Sequence, residues 1–222
     1  MGYTSGSKIN PEIIQRETNL LRSGFNYAEV SRITGTKLKT VAERNRIIYK
    51  VNLWDAFKRR IEREGIKSRL RVTDEFGNWF AGFFDGEGSF DFYTGYKRRR
   101  DTDYRVGIHI ALRDDDAETI EFIKKNLGVG IIYRKPARGP TNPSIEFTIR
   151  AYKDLAEIII PLFERYPLRT KKAKQFGFWK TGVIAGYIRT LGSYSRRKTF
   201  TEEEKAFFED LAKRIGEIRT YS

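Results

Sequence analysis

The 222-residue chain has no cysteine, one histidine and one methionine. Without cysteine there is no disulfide, no thiolate zinc site and no thiol nucleophile. With His109 as the sole histidine, a histidine-rich zinc centre and a His-Asn-His nuclease site are excluded. Hydrolytic chemistry here falls to carboxylates and to oxygen-preferring cations such as Mg²⁺. No apolar run approaches the length of a membrane span and no signal-peptide pattern is present. The expected protein is therefore soluble, with no membrane partner, and cytoplasmic or nucleoid-associated, or organellar in a eukaryotic host. Acidic residues are also in deficit, 29 against 43 Lys/Arg, for a net charge of +14. The excess is uneven: residues 1–72 hold 16 basic and 7 acidic residues, residues 73–222 hold 27 and 22. Such clustering favours a polyanionic partner, and nucleic acid is the default polyanion inside a cell.

The most unusual stretch is Trp79-Phe80-Ala81-Gly82-Phe83-Phe84-Asp85-Gly86-Glu87-Gly88-Ser89-Phe90. Phe76, Phe80 and Phe83 recur at the spacing of one helical face. From Ser89 to Tyr93 the residues alternate as in a strand. Gly82 and Gly86 share one face of this apolar helix, where each glycine costs about 1 kcal/mol relative to alanine. Close approach by a second helix is the compensation that a small-xxx-small pair permits. Glu87, on the last turn, then falls at the seam between two packed units.

The chain before this stretch reads as helical and basic. Residues 1–8 are Gly/Ser-rich and expected to fray. Pro11 to Ser23 forms a helix capped by Asn10, with Gly24 past its end. Tyr27 to Arg46 reads as a short helix, a turn at Gly35 and a second helix to about Lys50. Ala28, Val30, Ile33, Leu38, Val41 and Ile48 are its expected core. The pattern resembles the helix-turn-helix of resolvases and related DNA-binding domains, whose second helix enters the major groove. That likeness implies DNA contact by Lys37, Lys39, Thr40, Arg44 and Arg46; a helical hairpin packed on the main domain is the alternative. Residues 51–72 form a basic linker helix.

After Gly88, Phe90 and Phe92 point to one side of a strand and Ser89, Asp91 and Tyr93 to the other. A basic turn carries Lys97, Arg98, Arg99 and Arg100. The returning strand, Tyr104 to Leu112, turns Tyr104, Val106, Ile108 and Ile110 inward and Arg105, Gly107 and His109 outward. Asp114 to Asp116 are expected to cap a helix ending at Leu127, complementing its dipole rather than binding metal. Val129 to Lys135 and Ser144 to Arg150 form a second hairpin joined by a loop with Arg138. Its outward face holds Ile131, Tyr133 and Lys135, with Ile145, Phe147 and Ile149 toward the core. A helix follows from about Lys153, then a basic turn from Pro167 to Lys172 and another helix. The last helix opens with a Thr201–Glu204 capping box and buries Phe207, Leu211, Ile215 and Ile218.

The order is α-β-β-α-β-β-α, an α+β fold with one antiparallel sheet backed by helices on one face. Its open face, alternating along each strand, is placed to read base edges in a DNA groove. The expected divisions are an all-α extension (1–50), the basic linker (51–72) and the α+β domain with its terminal helix (73–222).

Phe80 to Gly88 resembles, position by position, the signature of the LAGLIDADG homing endonucleases, with aromatics for each Leu or Ile. The αββαββα order is similar to that family's over about 115 residues. Lys125 to Gly130 resembles its second helix running into its third strand, and Pro167 to Lys172 the turn that carries its active-site lysine. The resemblance implies a curved antiparallel sheet and site-specific, metal-dependent cleavage of double-stranded DNA with 3′ overhangs. It implies Glu87 as a catalytic residue and, with the Gly86 carbonyl, as a ligand of Mg²⁺, for which Mn²⁺ would substitute. It implies Lys171 as the catalytic lysine, with Lys172 as the fallback. A single motif copy implies a homodimer on a roughly palindromic site, meeting through Ala81, Gly82, Asp85 and Gly86. Two departures stand out: Leu112 occupies the place of a water-positioning Gln, and the helix-turn-helix lies outside the minimal fold. A non-cleaving DNA-binding regulator and an RNA maturase, which would bind RNA, are the rival readings.

Overall fold

The computed structural model describes residues 10–51, 53–98, 101–137, 142–192 and 200–219. The chain divides into two compact units, residues 1–66 with 188–198 and residues 67–187 with 199–222. The expected fraying of residues 1–8 and the Arg99, Arg100 and Arg138 positions fall outside the described residues.

The first unit is helical. In α1 (Pro11–Arg22) the Asn10 side chain accepts the Glu12 N–H at 2.9 Å and Pro11 sits in the first turn. Asn26 and Glu29 exchange capping bonds at the start of α2 (Tyr27–Thr34). Gly35 ends that helix at φ 73°, a left-handed conformation that glycine adopts without Cβ strain. The next helix, α3 (Leu38–Arg44), widens into a π turn at Asn45–Tyr49. Leu21, Val30, Val41 and Tyr49 form the core. Val41, Asn45 and Tyr49 hold the inward side at steps of four, so Ile48, expected inside, is turned out and exposed. Ala28 is also exposed, because it lies about 200° around α2 from Val30. Ile33, on the last turn of α2, is exposed as well.

Helix α4 (Leu53–Glu64) belongs to this unit rather than forming a separate linker. Its Arg60 pairs with Glu29 at 3.0 Å, donates to the Gly24 carbonyl at 3.2 Å and lies over the Phe25 ring. Beneath α3, Glu17 is fully buried and receives Arg44 Nη1 at 3.0 Å on each carboxylate oxygen, with the Tyr49 hydroxyl as a further donor.

The second unit carries α5 (Asp74–Glu87), β1 (Gly88–Arg98), β2 (Asp101–Arg113) and α6 (Ala117–Leu127). It continues with β3 (Ile131–Lys135), β4 (Ser144–Ile149), α7 (Tyr152–Asp154), a π turn at Leu155–Ile159 and α8 (Ile160–Arg165). Helix α9 (Lys172–Gly192), as far as Tyr187, and α10 (Glu202–Arg219) complete it. Thr73 caps α5 by accepting the Phe76 N–H at 3.2 Å. The four strands make one antiparallel sheet in the order β1-β2-β4-β3. Phe90, Val106, Ile108, Ile110, Ile145, Phe147 and Ile149 face a core closed by Phe80, Phe84, Phe163 and Trp179. Trp179 also donates its ring N–H to the Gly107 carbonyl at 2.7 Å, fastening α9 to β2.

Three local readings change. The strands run on to Arg98 and start at Asp101, so Lys97 and Arg98 of the expected basic turn are paired backbone. Asp114–Asp116 form a 3₁₀ turn with no side-chain capping bond. Instead, Asp114 pairs with Arg134 at 2.9 Å and Asp115 with Arg113 at 2.7 Å, because nearby guanidinium groups compete for those carboxylates. In α10 the buried aromatic is Phe208, in register with Leu211 and Ile215, whereas Phe207 is exposed. The Thr201–Glu204 capping box forms as expected.

Burial alone would push the Glu17 carboxyl up; hydrogen bonds from Thr36, Tyr49 and Arg44, with the Arg44 charge, outweigh it and hold it low. A depressed carboxylate stabilises the fold above its unfolded value and loses that contribution as pH falls through the folded one. Glu17→Gln should cost about 3 kcal/mol at neutral pH, as expected when a buried pair loses one partner. Urea unfolding followed by circular dichroism between pH 3 and 7 should show a smaller deficit toward acid.

Candidate active site

Helix α5 is sided. Phe76, Gly77, Phe80, Ala81 and Phe84 are buried within the unit, while Gly82, Gly86 and Glu87 are exposed. Ala81, expected at a subunit seam, is 5% exposed and is spent on the internal core. Among the described residues, a Cβ on Gly82 or Gly86 meets nothing within 4 Å, so neither glycine is required by their packing. At Gly88 the backbone turns from helix into strand, and a Cβ there would strike the Phe84 ring. That turn leaves Glu87 on the rim of a cleft of ≈ 620 Å³, whose wall includes Phe83, Leu112, Arg113, Asp116 and Ser144. Leu112 gives this wall an apolar side chain where a hydrogen-bonding one was sought.

The basic turn before α9 docks on the same helix end. The Asp85 carboxylate accepts the backbone N–H groups of Arg169 and Thr170 at 2.5 and 3.1 Å. It also accepts the Thr170 hydroxyl at 2.7 Å. Lys172 Nζ donates to the carbonyls of Asp85 at 2.6 Å and Gly86 at 3.2 Å. The last carbonyls of a helix lack intrahelical partners and carry the negative end of its dipole, so an ammonium is favoured there. Burial holds Lys172 below the ordinary lysine range, against the opposing pull of Asp85 and Glu87. Lys172, the fallback of the two lysines in this turn, thus bonds the end of the motif helix, with Lys171 beside it. Spacing alone could not separate neighbours on one turn. Asp85, expected at a subunit seam, is engaged inside its own chain.

Across the open face of the sheet the register lines up Ser89 with His109, Asp91 with Gly107 and Tyr93 with Arg105. It continues through His109 with Thr148, Ile131 with Thr148, Tyr133 with Glu146 and Lys135 with Ser144. Tyr93, Ile131, Tyr133 and Lys135 are exposed, while Ser89, Arg105 and His109 are half-buried. Asp91 is instead 6% exposed: Tyr93 donates to its Oδ1 at 3.3 Å, and its Oδ2 has no partner among the described residues. It lies opposite Gly107 in the register. Lys97 and Arg98 pair through their backbones near the hairpin tip. The face also presents Glu146, which accepts from Lys135 and lies 3.6 Å from His109 Nε2. Its alternation with Ile145 and Phe147 was the available signal.

In the first unit, Lys37, Lys39 and Arg46 are exposed and Thr40 is half-buried. Arg44, expected to face DNA, is turned inward to Glu17. Among the described residues, no group of three or more His, Asp or Glu side chains could hold a metal, and no helix is long and apolar enough to cross a membrane.

Residues 80–183 match the family model described as LAGLIDADG endonuclease. That stretch is similar to a LAGLIDADG endonuclease domain. A Schizosaccharomyces pombe protein named "Probable intron-encoded endonuclease Cox1-I1b" is 26% identical over 57% of this chain and 32% of its own length. "Probable intron-encoded endonuclease 3" of Neurospora crassa is 32% identical over 52% of this chain and 21% of its own. The chain thus spans a third or less of the length of these curated relatives. The I-SmaMI LAGLIDADG homing endonuclease, solved bound to cleaved DNA, shares the fold at 19% identity and a TM-score of 0.53. That likeness covers 92% of this chain and 66% of the other. The LAGLIDADG match begins within α5 and ends within α9, so it takes in both the motif helix and the lysine turn.

The glycines of α5 should separate by side. Gly77→Ala drives a Cβ into the Tyr166 ring and should cost about 1–3 kcal/mol by overpacking. Gly82→Ala in dilute, monomeric protein should instead stabilise by about 1 kcal/mol through helix propensity. Paired urea melts measure both.

Proposed function

We propose that the protein is a site-specific DNA endonuclease that hydrolyses phosphodiesters with Mg²⁺ as a homodimer. The observation that carries this reading is the convergence of an exposed Glu87 and the Lys172 ammonium on one helix end. The domain match and the alternating polar sheet face support it.

The donor set fits a hard divalent cation. Glu87 offers a carboxylate, and the Gly86 carbonyl, although it accepts from Lys172, keeps a second lone pair. Both are oxygens at the negative end of a helix, and Mg²⁺ completes its shell with waters and phosphate oxygens. When bound, it would lower the pKa of a coordinated water and neutralise charge on the leaving oxygen. Lys172 supplies a fixed positive charge for the phosphate as negative charge develops there. Phe83 and Leu112 keep one wall of the cleft apolar. Tyr93, His109, Ile131, Tyr133 and Lys135 face the bases, and Lys37, Lys39 and Arg46 extend the contact along the backbone.

One chain offers one motif carboxylate, whereas cutting two strands calls for two such centres. Gly82 and Gly86 are open for a second α5, and packing two copies there brings both Glu87 side chains to a two-fold axis. The DNA site is then roughly palindromic. The protein works where DNA is, in cytoplasm, nucleoid or organelle.

A randomised duplex library incubated with Mg²⁺ should yield one family of cleaved sites with wild type. Glu87→Gln should bind those sites and cut at least about 10³-fold more slowly. Tight binding without cutting by wild type would favour the non-cleaving regulator; retained cutting by Glu87→Gln would remove it from the active site. Lys172→Ala should cost more in rate than Lys171→Ala, and the reverse order would restore Lys171 to the role. Gly82→Leu should leave the chain folded but monomeric by sedimentation, and inactive. A dimeric, active Gly82→Leu would rule out this interface.

A further inference from the structure

Asp85 is the motif's other acid, and its bonds give it a task within its own chain. Its Oδ2 gathers the N–H groups of Arg169 and Thr170, and its Oδ1 takes the Thr170 hydroxyl at 2.7 Å. The same hydroxyl oxygen accepts the Lys172 N–H at 3.2 Å, so Thr170 joins the motif carboxylate to the backbone of the lysine. Lys172 then returns across the gap to the carbonyls of Asp85 and Gly86. The result is a closed ring: Asp85 carboxylate, Thr170 hydroxyl, Lys172 backbone, Lys172 ammonium, and the carbonyls one and two residues before Glu87.

We infer that Asp85 and Thr170 are positioning residues, which hold the Lys172 ammonium at a fixed distance from Glu87 through this ring. A lysine side chain has four rotatable carbons and would otherwise sample many positions around a phosphate. The charged ring partner on one side and the hydroxyl on the other fix the turn from which that side chain departs. A misplacement near 1 Å at a reacting centre costs on the order of 100-fold in rate, which is ample reason for such a brace. The inference rests on the proposed cleavage chemistry for its consequence, but its geometry belongs to the chain itself.

Thr170→Ser keeps the hydroxyl and Thr170→Val removes it at nearly constant volume, so the pair isolates the ring. On a site recovered from the library, Thr170→Val should lower kcat on the order of tenfold to 100-fold with KM for DNA unchanged. Thr170→Ser should stay within about threefold of wild type. In a Lys172→Ala background, Thr170→Val should add less than about twofold, since residues acting as a unit are non-additive. Full additivity, a loss confined to KM, or Thr170→Ser as slow as Thr170→Val would overturn the inference. Acetylation of Lys172, followed by peptide mass spectrometry on DNA-free protein, reads the ring without cleavage. Thr170→Val should be labelled faster than wild type and Thr170→Ser should not; equal rates in all three would also overturn it. A wild type that cuts no DNA yet gives this labelling pattern would sink the cleavage reading and leave the ring standing.

Discussion

The candidate site depends on the unpaired carbonyls at the end of α5. A helix that stops leaves its last oxygens without partners, and here Lys172 supplies an ammonium to two of them. That bond draws the turn before α9 onto the motif helix, and the Asp85 carboxylate grips the same turn from the other side. Glu87, one residue further on, is left facing the cleft with a positive charge beside it. The abrupt change from helix to strand at Gly88 sets where the carboxylate points, and the Phe84 ring against Gly88 admits no side chain there.

The rest of the second unit keeps that helix end in place. Phe80 and Phe84 run down the buried side of α5 into a group of rings from β1, α8 and α9. Trp179 ties α9 to the middle of β2 through the Gly107 carbonyl. The lysine turn, the motif helix and the first two strands thus share one core. The opposite face of the sheet has no such burden, and it carries the alternating polar and aromatic residues suited to a ligand.

Periodicity made most of this architecture legible. Alternation from Tyr104 to Ile110 identified the buried face of β2, and the glycine-acid-glycine run marked the end of α5. What escaped was decided by tertiary competition. Arg44 reads as a surface cation on a recognition helix, yet a buried Glu17 twenty-seven positions earlier claims it. Asp91 alternates outward but is buried on that face, where Tyr93 donates to it. Lys171 and Lys172 are adjacent, so their spacing does not show that Lys172 bonds the end of α5, which only the docked turn reveals. Ile48 was displaced by a π turn that no spacing rule anticipates. The bonds of Asp85 to Thr170 could not be read from the sequence, because these partners lie more than eighty positions apart.

In the proposed function, one chain holds half of a centre that two copies complete. Mixing wild type with Glu87→Gln at fixed total concentration, after exchange of subunits, tests it most directly. The double-strand cleavage rate should fall with the square of the wild-type fraction, since only wild-type pairs carry both carboxylates. A rate that falls in simple proportion to the wild-type fraction would contradict the claim, because each chain would then be cutting alone.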